Sequence, residues 1–285
     1  MTKPLLLVRS NAALICLAVL AGCASASSVT STPATGWKLT WSDEFDGAAG
    51  ASFDRTKWVA DTGGQGWGNQ EREFYTTASD NIALDGAGHL VITARAEDPT
   101  RYACWYGGCR YSSARIKTQA LFTQSYGRFE ARIRIPRGQG LWPAFWMLGN
   151  DIGNVGWPAS GEIDIMENIG REPTVVHGTM HGPGYSGGNG IGGPDSLASG
   201  AFADAFHVYA VEWSPQEIRW FVDDHQYFST TPASLPSGAR WVYDHPFFLL
   251  LNLAVGGGWP NDPDATTVFP AQMIVDYVRV YSTGG

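Results

Sequence analysis

Along most of the chain, apolar and polar residues alternate with a period of two. His89–Arg95 (HLVITAR), Gly127–Ile135 (GRFEARIRI), Val208–Trp213 (VYAVEW) and Glu217–Val222 (EIRWFV) each put apolar side chains on one face and polar ones on the other. A last such segment runs from Met273 to Tyr281, with Ile274, Asp276, Val278 and Val280 alternating against Val275, Tyr277 and Arg279. Asp223-Asp224 lies between Val222 and His225–Phe228 as a hairpin turn without the usual glycine. No window of ten residues keeps a helical period free of Gly or Pro. Many short strands and frequent turns predict an all-β sandwich or barrel, and local pattern does not choose between the two.

One segment departs from simple alternation. In Ser160-Gly161-Glu162-Ile163-Asp164-Ile165-Met166-Glu167-Asn168, Ile163 and Ile165 face a core while Glu162 and Asp164 share the opposite face. Continued alternation would turn Glu167 into that core, at a cost of several kcal/mol for a lone buried carboxylate. A β-bulge between Asp164 and Glu167 resets the parity and returns all three acids to one face. Carboxylates so close repel one another and shift their pKa values apart. Glycoside hydrolysis needs such a set, one carboxyl ionised and another protonated. Glutamates leaning together across about 13 Å of strand leave little room for an intervening water, which favours retention of configuration. The same pattern is also compatible with an exposed acidic face or a calcium site, although calcium ligands usually sit on loops.

Composition narrows the field. The chain has 12 Trp, 11 Tyr and 13 Phe, 44% apolar residues and a formal net charge of −8. Disorder is excluded by the apolar content. The few basic residues form no stripe for nucleic acid. An acidic, Trp-rich, turn-rich chain suits a neutral ligand with flat apolar faces, such as a sugar. Only Lys3, Lys38, Lys57 and Lys117 are lysines, which argues against a sulfated polysaccharide.

Residues 1–22 combine Lys3 and Arg9 with a short apolar run, Ala12 to Ala21, as in a secretory signal. Leu20-Ala21-Gly22-Cys23 resembles a bacterial lipobox, with Cys23 as the lipid site; an ordinary signal peptide is the alternative. Removing Lys3 and Arg9 takes the charge from −8 to −10. Residues 23–36 carry no charge and read as a flexible linker; residues 37–285 then form one domain. Export permits a Cys104–Cys109 disulfide around Trp-Tyr-Gly-Gly. Free thiols or a metal site are the alternatives, and no nearby His supports a metal. No coiled-coil or interface pattern is present, so a monomer is expected, with membrane contact only through Cys23.

The acidic segment Gly161-Glu162-Ile163-Asp164-Ile165-Met166-Glu167 resembles the bulged signature of glycoside hydrolase family 16. So, in family order, do Trp41–Gly47 (WSDEFDG), Gly68–Glu71 (GNQE), Tyr111–Arg115 (YSSAR), Trp142–Leu148 (WPAFWML), His177–Gly182 (HGTMHG) and Val275–Tyr281 (VDYVRVY). The resemblance implies a jelly-roll sandwich of two curved antiparallel sheets with a cleft on the concave face. It implies Glu162 as nucleophile, Glu167 as acid/base and Asp164 as the residue that orients the nucleophile and tunes the proton, with no cofactor for catalysis. The bulge with Met166, the Trp142–Trp146 segment and the Gly-rich His181–Gly193 loop are similar to the laminarinase branch, which implies endo-cleavage of β-1,3-glucan. A β-1,3-1,4-glucanase, a glucan transglycosylase and a non-catalytic glucan-binding module are the rivals.

The resemblance also implies sugar stacking at Trp142 and Trp146. Asn69 and Arg115, polar within matching motifs, are candidates for hydrogen bonds to sugar. His181 opens a Gly-rich loop able to close over a ligand, and Trp259 after Gly256–Gly258 is a further platform candidate, with Trp67 and Trp105 behind it. Core packing, turn stabilisation or ion pairing are the ordinary roles for these residue types. On the convex side it implies a structural Ca²⁺ held by Glu44, the Gly88 carbonyl and Asp276. Glu73 departs from the family, where an amide is frequent; an acid bordering the cleft would alter the outer sugar contacts.

Overall fold

The computed structural model describes Met1 and residues 36–284. The signal segment after Met1, Cys23 and all of the linker except Gly36 therefore lie outside the described residues. Two sheets carry the domain. One has ten strands, in the order His225–Thr230, Glu217–Val222, His207–Ser214, Gly127–Arg134, Ala271–Thr283, Leu90–Ala96, Tyr111–Ser113 and Glu73–Tyr75. Trp37–Asp43 and Ile82–Leu84 pair alongside Ala271–Thr283 and Leu90–Ala96 respectively. The other sheet has seven, in the order Ile191–Ser196, Val175–His181, Glu162–Glu167, Leu141–Gly149, Phe247–Val255, Arg115–Lys117 and Val59–Asp61. Pairing is antiparallel except between Glu73–Tyr75 and Tyr111–Ser113. The sheets pack as a sandwich, settling the choice that local pattern left open.

Alternation built the core. Phe129, Ala131 and Ile133 from the first sheet, with Val211, Trp213, Ile218 and Trp220, meet Phe145, Met147, Ile163, Ile165 and Leu251 from the second, all buried. Each such large side chain contributes about 1.5–3 kcal/mol through burial. The Asp223-Asp224 turn works without glycine because both residues take left-handed φ, 48° and 67°. The Asp223 carboxylate accepts the Val208 N–H at 2.8 Å and pairs with His207 Nδ1 at 2.6 Å.

Period-two reading passed over Phe247–Val255 (FFLLLNLAV), every residue of which is buried. Its inner face joins the main core. On its outer face, Phe248 and Leu250 form a second apolar cluster with Leu148, against which Trp146 and Ile152 pack. A strand covered on both faces has no polar alternation to detect. Its one polar residue is Asn252, which enters the candidate site below.

Candidate active site

The bulge lies where parity required it. Asp164 pairs with Thr179 and Glu167 with His177, so three steps on one strand meet two on the other. Across the opposite edge, Asp164 faces Trp146 while Met166 faces Phe145, leaving Ile165 as the extra residue. Ile165 and Met166 thus both enter the core, and Glu162, Asp164 and Glu167 share the outer face. The other sheet supports this point directly: Trp220 Nε1 donates to the Asp164 carbonyl at 2.8 Å through the core.

His181, cross-strand from Glu162, completes the cluster. Its Nε2 lies 3.1 Å from Asp164 Oδ2 and 3.9 Å from Glu162 Oε1, and its carbonyl accepts the Tyr243 hydroxyl at 2.8 Å. Trp157 Nε1 donates to Glu162 Oε2 at 2.8 Å, and Trp142 Nε1 to Glu167 Oε1 at 3.0 Å. Burial pushes Glu162 up to about 8 and Asp164 up to about 7, and holds Glu167 well above the usual carboxylate range. The Asp164 charge adds to the rise at both glutamates, while His181 and the indole N–H groups oppose it. Near neutrality the three carboxyls therefore hold fewer than three charges. Glu162 and Asp164 are hydrogen-bonded to each other and can share one proton; Glu167 keeps its own. The set offers one group to attack and another to protonate.

These shifts have a sign for stability. An acid whose folded pKa is raised binds more protons folded than unfolded, so its favourable contribution is lost as pH rises through the folded value. The melting temperature should fall between about pH 5 and about pH 9, the window between an ordinary Glu and the raised groups. Calorimetry of Glu162→Gln should show a shallower fall; an equally steep one would mean that Glu162 does not ionise at a cost.

The wall of the site rises on the neighbouring strands. Trp142 and Trp146 do lie on one face of Leu141–Gly149, both half-buried. Trp259 is 37% exposed and edge-on to Trp142 at 5.6 Å and to His177 at 5.1 Å. Arg115 pairs with Asp61 at 3.0 Å, its guanidinium lying 4.9 Å from the Trp146 ring centre and 5.0 Å from that of Trp67. It is thus ion-paired, as one sequence reading had it, and also props the Trp146 ring. Asn69 Nδ2 donates to Glu71 Oε1 at 3.0 Å, and its carbonyl accepts the Gly258 N–H at 2.9 Å. Replacing Trp259 by Ala should raise KM about three- to tenfold with little change in kcat, since its ring touches no carboxylate; a fall confined to kcat would contradict its assignment to sugar stacking.

His181 is 9% exposed, and its Nε2, 3.1 Å from Asp164 Oδ2, places it within the acidic cluster. The Gly-rich segment after it is only partly a loop. Ile191–Ser196 is a strand, with Gly192 and Gly193 opposite Thr179 and Gly178. A Cβ on Gly192 would stand 2.2 Å from the Gly178 carbonyl, and one on Gly190 2.4 Å from the His181 ring, so glycine lets this strand close on the acidic cluster's neighbours. Residues missed in the sequence are Asn252, whose Oδ1 accepts Trp146 Nε1 at 2.7 Å, Tyr75, Glu71 and Trp157.

The profile of Glycosyl hydrolases family 16 matches residues 70–279. The chain belongs to glycoside hydrolase family 16. A beta-glucanase from Rhodothermus marinus is 46% identical over 275 residues, covering 93% of this chain and 92% of that protein. The laminarinase catalytic domain from Thermotoga maritima superposes with TM-score 0.82 at 46% identity, covering 88% of this chain and 100% of that one. Endo-β-1,3-glucanase from Pyrococcus furiosus gives 0.80 at 47% identity, covering 87% and 96%. This family 16 chain is therefore a glycoside hydrolase with the jelly-roll fold.

Cys104 and Cys109 form a disulfide, their Cα atoms 5.1 Å apart. The calcium set does not fit the residues as they stand. Glu44 is held by both Arg279 Nε and Nη2, at 3.0 and 2.8 Å. Asp276 is the extra residue of a bulge opposite Arg132 and Ile133, and Arg132 bonds to it. The cation that the charge of Asp276 called for is an arginine. Glu73 does not border the cleft: it is wholly buried beside Glu71, and its Oε2 accepts the Val255 N–H at 2.7 Å.

Proposed function

We propose that this enzyme is a retaining endo-β-1,3-glucanase of the laminarin-degrading kind, with Glu162 as nucleophile and Glu167 as acid/base. The observation that carries the chemistry is the bulge, which places three raised-pKa carboxyls on one face with a different donor on each glutamate. Glu162 gives its proton to Asp164, whose carboxylate is held by His181, and attacks the anomeric carbon as the glycosidic bond breaks. Glu167 protonates the departing oxygen, leaving a glycosyl ester on Glu162. Glu167, now ionised, takes a proton from water, and the attacking oxygen releases the sugar with its original configuration. Trp142, Trp146 and Trp259 supply flat faces for the sugar rings, and Asn69 and Arg115 polar contacts. No step needs a cofactor, and calcium has no part in this proposal.

The β-1,3 preference is supported by the laminarinase and the endo-β-1,3-glucanase that this chain resembles at 46% and 47% identity. A panel of laminarin, lichenan, agarose and carrageenan tests it. Laminarin should be cleaved fastest and carrageenan not at all; faster release from agarose or carrageenan would overturn the substrate assignment. Product chains longer than the starting oligosaccharide at high concentration would reveal transglycosylation. We further propose export and anchoring at Cys23, resting on the residue pattern of the first 23 positions alone; labelling with a radioactive fatty acid, lost in Cys23→Ser, tests it.

A further inference from the structure

Two acids outside the candidate active site share one buried spot. Glu71 is 3% exposed and Glu73 0%. Glu73 Oε2 is satisfied by the Val255 N–H, but no donor faces Oε1. The side chain it reaches is Glu71, itself an acceptor. Two ionised carboxylates cannot share such a place, so one proton must lie between them, and it belongs to Glu73, the more buried acid.

What Glu71 does with its oxygens gives that proton a role. Oε1 accepts Asn69 Nδ2 at 3.0 Å, and Oε2 accepts the Tyr75 hydroxyl at 3.0 Å. The Tyr75 oxygen accepts Asn252 Nδ2 at 3.2 Å, and Asn252 Oδ1 accepts Trp146 Nε1 at 2.7 Å. The Glu71 backbone carbonyl accepts Trp105 Nε1 at 2.8 Å, a side chain carried on the disulfide-closed hairpin. One carboxylate therefore fixes Asn69 directly and Trp146 through two relays. Glu73 makes no hydrogen bond to Asn69, Asn252 or Trp146; it reaches them through Glu71 and through its charge on Tyr75.

We propose that Glu73 is a positioning residue: in its protonated form it clamps Glu71, and its ionisation loosens Asn69 and Trp146 and so weakens sugar binding. The groups facing the pair are few. From its own segment come Glu71 and Tyr75, and Arg115 acts on Tyr75 from the adjoining strand. From the disulfide hairpin comes Tyr106, whose hydroxyl bonds to the Arg72 carbonyl. Arg72 lies over the Trp105 and Tyr106 rings and pairs with Asp262, so it turns away from the acids. Among the described residues, no cation pairs with either acid to neutralise a second charge. Burial and the Glu71 charge hold Glu73 well above the usual carboxylate range, which puts the loosening on the alkaline side.

The inference rests on the β-glucanase reading only for its assay. On laminarin, wild-type KM should rise about three- to tenfold as pH is taken from neutral to the alkaline limit of the folded enzyme, the range expected for losing one or two hydrogen bonds to sugar. That rise is separate from the fall in kcat as Glu167 ionises. Glu73→Gln, whose amide donates to Glu71 without titrating, should give a KM that stays flat over the same interval. The dissociation constant of a laminari-oligosaccharide for Glu162→Gln, followed by calorimetry, should rise with pH as KM does, and stay flat in Glu162→Gln/Glu73→Gln. A flat wild-type KM overturns the proposal, as does an equal rise in Glu73→Gln. Absence of any β-glucan hydrolysis would instead overturn the functional reading.

Discussion

Glu162→Ala should lose laminarin hydrolysis by about 10⁴-fold or more in kcat while still binding oligosaccharide, because removing a nucleophile removes a step and not a binding contact. The loss alone does not identify the role; chemical rescue does. With azide and an aryl β-glycoside, Glu162→Ala should form the α-glycosyl azide, since azide fills the space vacated below the ring while Glu167 protonates from above. The β-azide from this variant would place the nucleophile elsewhere. Asp164→Asn should be less damaging, since it removes the proton acceptor 3.1 Å from His181 Nε2 but leaves the attacking carboxylate in place.

Glu167→Ala should show the second large effect, and one that depends on the leaving group. On laminarin, where the departing oxygen needs a proton, activity should fall about 10²- to 10⁴-fold, the usual contribution of general acid–base catalysis. On a dinitrophenyl glycoside, which departs without protonation, formation of the glycosyl-enzyme should be nearly unimpaired. Its hydrolysis should be slow, and azide should restore turnover by giving the β-glycosyl azide. Equal losses on both substrates would mean that Glu167 is not the acid. In wild type the alkaline limb of kcat should report Glu167, whose proton is retained well above the ordinary carboxylate range by burial and by Asp164.

Sequence reasoning reached the acidic strand because a contradiction was legible there: alternation would have buried Glu167, and only an inserted residue avoids that cost. The same logic, a lone polar side chain needing a partner, would have found Asn252 within FFLLLNLAV had that run been recognised as a strand. It was not, because both of its faces are covered and no period remains. Alternation puts Asp276 in phase with Ile274 and Val278, and only the paired strand shows otherwise. The register shift opposite Arg132 and Ile133 explains its phase, and Arg132 its charge. His181 and Glu73 share one feature: their partners are not legible from local pattern. Asp164 beside His181 Nε2 and the Val255 N–H on Glu73 Oε2 come from segments distant in sequence, which local spacing does not encode.

The account stands most directly on the configuration of the first product. Proton NMR of laminarin during the opening minutes of digestion, before mutarotation, should show new reducing ends as the β-anomer. The account predicts this from a covalent intermediate at Glu162 resolved by water under Glu167. Early α-anomer, or no new reducing ends from folded enzyme, would contradict it.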